Sequence, residues 1–86
     1  MNINKLISII QDKIKKNIIL QEINIEDKTF LHKKHPSHID GKFHLKIIIS
    51  SVDLKKLSKI ESTKKIYSIL NEELKMYIHS IQILIQ

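Results

Sequence analysis

The chain has 86 residues, 42% of them hydrophobic, and a formal charge of +6 in which all 15 basic residues are Lys. That length holds one domain, residues 1–86, with a core near the lower limit for independent folding. The absence of Cys excludes disulfides, a thiol nucleophile and any thiolate metal site made by this chain alone.

No apolar run approaches the roughly 18 residues that would span a bilayer, so no membrane insertion is expected. The N-terminus lacks the apolar core and cleavage site of a signal peptide, and Asp12 with no Arg suits a transit peptide poorly. A cytoplasmic location is therefore expected. The positive charge favours nucleic acid or acidic surfaces as partners, but Lys lacks the bidentate fork with which Arg reads phosphates and guanine edges.

Ile3, Leu6, Ile7, Ile10 and Ile14 recur at helical spacing, with Lys5, Asp12, Lys13 and Lys16 opposite them, and predict a first helix. From Ile18 the period changes to two. Ile19, Gln21, Ile23 and Ile25 alternate with Leu20, Glu22 and Asn24, which predicts a half-buried strand ending at Glu26–Lys28. A long loop follows to about Lys42, and loops of that length in a compact domain tend to carry function. The second strand places Phe43, Leu45, Ile47 and Ile49 on one face and His44, Lys46, Ile48 and Ser50 on the other.

Ser51 to Leu57 reads as a short connection or a helical turn. Ser58-Lys59-Ile60-Glu61 has the form of a capping box. Ile60, Thr63, Ile66, Tyr67, Leu70 and Leu74 predict the apolar stripe of a second helix ending near Met76. The last strand runs from Ile78 to Ile85, with His79, Ile81, Ile83 and Ile85 in one register. Helix, strand, strand, helix, strand makes an α+β domain, a three-stranded mixed sheet with helices on one face, its last strand parallel to a neighbour.

Four of the five histidines (His32, His35, His38, His44) lie between Thr29 and Ser51, and His79 opens the last strand. Taken alone, His79 reads as a partly buried strand residue, and His35 beside Pro36 as an exposed loop residue. His44, opposite the Phe43–Ile49 row, reads as structural or as a neighbour of a site. His32, His35 and His38 follow no established structural zinc spacing. Lys55, Lys56, Lys59, Lys64 and Lys65 cluster around the start of the second helix, as a solvated basic face or a nucleic-acid contact. No nucleophile–base pair, paired carboxylate or phosphate loop stands at a recognisable spacing, so no enzymatic role is expected.

In this arrangement the sequence resembles the BolA family, through four blocks in order over about 55 residues. TFLHKKH from Thr29 is similar to the family's Ser-His-x-His-x-x-His segment, departing at Thr29 and Phe30. HLKIIISS, His44 to Ser51, resembles its His-Phe-Lys-Val strand ending in Ser. IYSILNEEL, Ile66 to Leu74, matches the helix ending Leu-x-Glu-Glu-Leu, and IHSI, Ile78 to Ile81, matches Ile/Val-His-Ala-Leu with His79 on the family's invariant histidine. Ser62, Thr63 and Lys64 replace the family's Arg-His-Arg, and the chain stops at Gln86 where the family continues into a Thr-Pro-x-x-Trp tail.

The resemblance implies a fold like the type II KH domain (α-β-β-α-β). It also implies binding to a monothiol glutaredoxin in iron–sulfur cluster delivery or in iron, stress or transcriptional regulation. A [2Fe–2S] cluster would be shared in that heterodimer, with glutathione supplied through the glutaredoxin and imidazoles from His79 and His35, or His32 if the loop alignment slips by three. The isolated chain would be a monomer without a cofactor. The alternative is weak nucleic-acid binding through the five lysines, although a KH clamp needs a Gly-x-x-Gly loop and the single glycine cannot make one.

Overall fold

The computed structural model describes residues 1–29 and 42–86. Helix α1 spans Ile3–Asn17, strand β1 Glu22–Asp27, strand β2 Phe43–Ser50, helices α2, α3 and α4 Val52–Lys55, Lys59–Ile69 and Asn71–Met76, and strand β3 Ile78–Ile85. Asn2 caps α1, its side-chain oxygen accepting from the Lys5 N–H at 2.8 Å. Lys15 and Lys16 close the helix at the negative end of its dipole. Leu6, Ile10 and Ile14, four residues apart, are fully buried, as the spacing predicts.

The sheet order is β1-β2-β3, with β2 central, antiparallel to β1 and parallel to β3. Ile25 on β1, Leu45, Ile47 and Ile49 on β2, and Ile78 on β3 join Leu6, Ile10, Ile14, Leu54, Ile66 and Leu70 in one core. All helices therefore cover one face of the sheet. Burying each of these side chains contributes on the order of 1.5–3 kcal/mol against ordering entropy of similar scale. The opposite face carries Asn24, Glu26, His44, Lys46, Ser80 and Gln82.

Two predicted details change. The first strand starts at Glu22 rather than Ile18, because Ile18 is still tied to α1 as its C-cap and donates its N–H to the Ile14 carbonyl at 2.8 Å. Ile19 is consequently 70% exposed in the turn. The connection after β2 takes the helical-turn form, as the short helix α2 capped by Ser51.

The second change is in the second helix. It divides into α3 and α4 at Leu70, whose backbone (φ −98°, ψ 17°) departs from helical values. Ser58 caps α3 as expected, but the Glu61 carboxylate meets the Ser58 hydroxyl at 3.0 Å rather than reaching back to its N–H. The buried stripe is Ser62, Ile66, Leu70 and Glu73, whereas Ile60 is 68% exposed and Tyr67 faces solvent. Ser62 fits because its hydroxyl donates to the Lys59 carbonyl at 3.0 Å, and Glu73 because its carboxylate meets Lys13 at 2.8 Å.

Candidate functional site

Ile78 is buried in the core, and Ile81, three residues on, packs against the same core. A regular strand cannot aim both inward, since successive side chains alternate. The register resolves this. Phe43 opposes Ile78 and His44 opposes Ser80, so His79 stands opposite no residue of β2. It is a β-bulge, the device that re-aims a side chain within a ladder. The single register expected for His79, Ile81, Ile83 and Ile85 is thereby corrected: Ile81, Ile83 and Ile85 face the helices, and His79 is set off from them.

His79 is half-buried rather than sealed under the helices. Its ring lies 4.8 Å from that of His44, edge to face at 64°. His44 is buried on the sheet face opposite the helices, and its Nδ1 is 2.7 Å from the Ser80 Oγ. Its backbone is held from the β1 side: the N–H donates to the Thr29 hydroxyl at 3.1 Å and the carbonyl accepts from the Lys28 N–H at 2.7 Å. Thr29 in turn donates its hydroxyl to the Asp27 carboxylate. On the other side the Phe43 N–H donates to the Tyr77 carbonyl at 2.8 Å, and the Lys42 ammonium to the Lys75 carbonyl at 3.3 Å.

Thr29 and Lys42, the described residues that flank 30–41, are thus both anchored beside the His44–His79 pair. His32, His35 and His38 lie outside the described residues. Among the described residues no group of three or more His, Cys, Asp or Glu is arranged to hold a metal. A half-exposed imidazole at a strand start suits one nitrogen ligand of a centre whose other ligands come from elsewhere, because a neutral imidazole binds iron, zinc or copper without bringing charge.

Next to the pair, Lys28 and Glu26 form an ion pair at 2.9 Å. The Lys28 ammonium, by its hydrogen bond and then by its charge, with Lys46 adding, holds the Glu26 carboxyl below the usual range. Lys28, His44, Lys46, Ser80 and Gln82 line a hollow of about 350 Å³ there. Larger hollows, of about 700 and 540 Å³, lie at the far end of the sheet, against the α1–β1 turn and against Ile83–Gln86.

Of the five lysines, Lys55 and Lys59 are at that far end. All five are exposed, and none forms an ion pair among the described residues. Lys55 and Lys59 border the hollow that reaches Ile83, Leu84 and Ile85. Strand β3 therefore runs from the histidine pair to the lysine patch, about 20 Å at some 3.3 Å per residue.

The chain matches the BolA-like protein family across residues 14–86. The chain belongs to the BolA family. It is 36% identical over 73 residues to the DNA-binding transcriptional regulator BolA of Haemophilus influenzae, a match that covers 85% of this chain and 68% of that protein. Its structure is similar to the BolA domain of SufE1 from Arabidopsis thaliana, with a TM-score of 0.80, 26% identity and coverage of 100% and 93% of the two chains. BolA1 from Arabidopsis thaliana shares the fold, with a TM-score of 0.78 at 24% identity over 92% and 87% of the chains. The α+β BolA fold expected from the sequence is the one observed. No helix among the described residues of this BolA-family chain is long and apolar enough to cross a membrane.

The site residues fall into two sets. His79 and His44 come together, and Lys55 and Lys59 lie at the other end of β3. Ser80 was not singled out in the sequence, because a serine after a strand histidine carries no periodic signal; only the bulge makes it the partner of His44.

Proposed function

We propose that this BolA-family chain binds a monothiol glutaredoxin and contributes histidine ligands to a [2Fe–2S] cluster shared between the two proteins, in cluster delivery or in iron or redox regulation. The role is non-enzymatic. His79 is the ligand from the folded core, and His35, or His32, is the second from residues 30–41. The reading is supported by one observation above all: the bulge leaves the His79 imidazole half-exposed beside the anchored ends of the segment that carries the other two. Without Cys the chain lacks the thiolates a conventional cluster needs, so sulfur has to come from the glutaredoxin and its glutathione. Imidazole ligation raises the potential relative to all-thiolate ligation and requires neutral histidine, which makes the bound cluster acid-sensitive.

The test is titration of the purified chain with a cluster-loaded monothiol glutaredoxin, followed by visible and vibrational spectra. The histidine-ligated signature is expected with the wild type and lost in His79→Ala with the fold retained. Unchanged spectra in His79→Ala would remove His79 from the site.

A second reading is DNA binding in transcriptional control. It is favoured by the DNA-binding role of the Haemophilus influenzae relative and by the exposed lysines Lys55, Lys56, Lys59, Lys64 and Lys65. Recognition by lysine alone predicts weak, salt-dependent affinity with little sequence preference. A selective, salt-tolerant complex would promote this reading over the first.

A further inference from the structure

A residue at a bulge has no cross-strand neighbour of the kind that ordinarily fixes how a side chain stands. His79 is in that position, yet among the described residues a ring is packed against it: that of His44, 4.8 Å away and edge to face. His44 is itself held by three partners, from two sides. Thr29 and Lys28 fix its backbone from β1, and the Ser80 hydroxyl holds its Nδ1 at 2.7 Å from β3. Ser80 is the residue next to His79, so the same bond closes the bulge from the side opposite the core.

We infer that His44 is a positioning residue for His79, locked by the Ser80 hydroxyl, so that the bulged imidazole is presented in one orientation before any partner arrives. The physical reason is preorganisation: a ligand whose ring is already oriented spends less of the binding energy on ordering, and groups that orient metal-binding histidines act this way. The consequence for cluster binding rests on the proposed role of His79; the positioning itself does not.

The experiment uses the full chain labelled with ¹⁵N and ¹³C, as wild type, Ser80→Ala, Ser80→Thr, His44→Phe and His79→Ala. In the wild type the His79 χ1 couplings report one rotamer. Ser80→Ala and His44→Phe spread His79 over at least two rotamers, with amide shifts of α1 and β1 unchanged, while Ser80→Thr keeps the hydroxyl and the single rotamer. On titration with a cluster-loaded monothiol glutaredoxin, Ser80→Ala weakens complex formation about 10-fold. Wild-type His79 couplings in both Ser80→Ala and His44→Phe would overturn the inference. Ser80 is exposed, so Ser80→Ala decides the question if His44→Phe fails to fold. His79→Ala separates the two ideas: an unchanged cluster spectrum there ends the ligand reading, while rotamer spreading in Ser80→Ala still upholds the positioning.

Discussion

Lys13 and Glu73 tie the first helix to α4, with Nζ 2.8 Å from Oε2 and the carboxylate almost wholly buried. Glu72 sits at the rim of the same ammonium, 3.7 Å away. The other oxygen of Glu73 has no hydrogen-bond partner among the described residues, so Lys13 is the main compensation for a buried charge. Removing one member of such a pair strands the other, whereas replacing both with apolar groups need not destabilise. Lys13→Met is expected to lower Tm by several degrees, and the double variant Lys13→Met/Glu73→Leu to recover most of that loss. Thermal unfolding by circular dichroism checks it; equal losses in the single and double variants would contradict it.

The same pair sets an alkaline limit. The hydrogen bond with Glu73 is the main reason the Lys13 ammonium stays protonated above its ordinary 10.5. A raised folded-state value means the contribution is complete below the unfolded value and is lost as pH rises through the folded one. Wild type and Lys13→Met should therefore differ fully below pH 10.5 and converge only as pH rises beyond it, through the raised folded value. Denaturant midpoints across that window read the difference.

Glu26 works in the opposite sense. Its carboxyl is held below the ordinary 4.5, first by the hydrogen bond from Lys28. A depressed value contributes stability above the unfolded value and loses it as pH falls through the folded one. Glu26→Gln is expected to match the wild type in acid and to fall slightly behind it above pH 4.5, by an amount that salt reduces because the pair is partly exposed. A difference that persists unchanged in acid would show that the pair is not its source.

Burial separates two isoleucines that look alike in sequence. Ile47 is fully buried in the central strand, and Ile60 is 68% exposed on α3. Ile47→Ala is expected to cost about 2–5 kcal/mol. Ile60→Ala should stay within about 0.5 kcal/mol. Urea unfolding distinguishes them.

The histidine pair and the lysine patch occupy opposite ends of β3, so changes at one should leave the other intact. Lys55→Gln/Lys56→Gln/Lys59→Gln is expected to reduce the salt slope of any DNA binding by about 1 for each phosphate no longer neutralised. The same variant should leave the cluster spectrum with glutaredoxin unaltered. Disappearance of the cluster signature there would mean that the two ends belong to one interface.

Much of this was legible without coordinates. Leu6, Ile10 and Ile14 repeat at helical spacing and Leu45, Ile47 and Ile49 at strand spacing, and in each case the periodic face is the buried one. A run of apolar residues with a steady period has few other places to go, and the same holds for Ser58 ahead of Glu61 at the start of α3. The stripe over α3 and α4 misled, because Ile60 and Tyr67 fit an apolar template while Ser62 and Glu73 do not. The buried polar pair is acceptable only through partners on Lys59 and Lys13, which no local pattern announces.

What the chain determined by itself is therefore the order and type of its main elements, its family and the identity of its histidines, since period, capping residues and motif order are all local properties. The tertiary structure alone decided that His79 stands outside the ladder and that His44 and Ser80 lie against it. A bulge depends on how two strands far apart in the chain settle their register, with Phe43 opposite Ile78 and His44 opposite Ser80. One extra residue there flips the rest of β3 to the helices, and neither strand's own sequence carries that count.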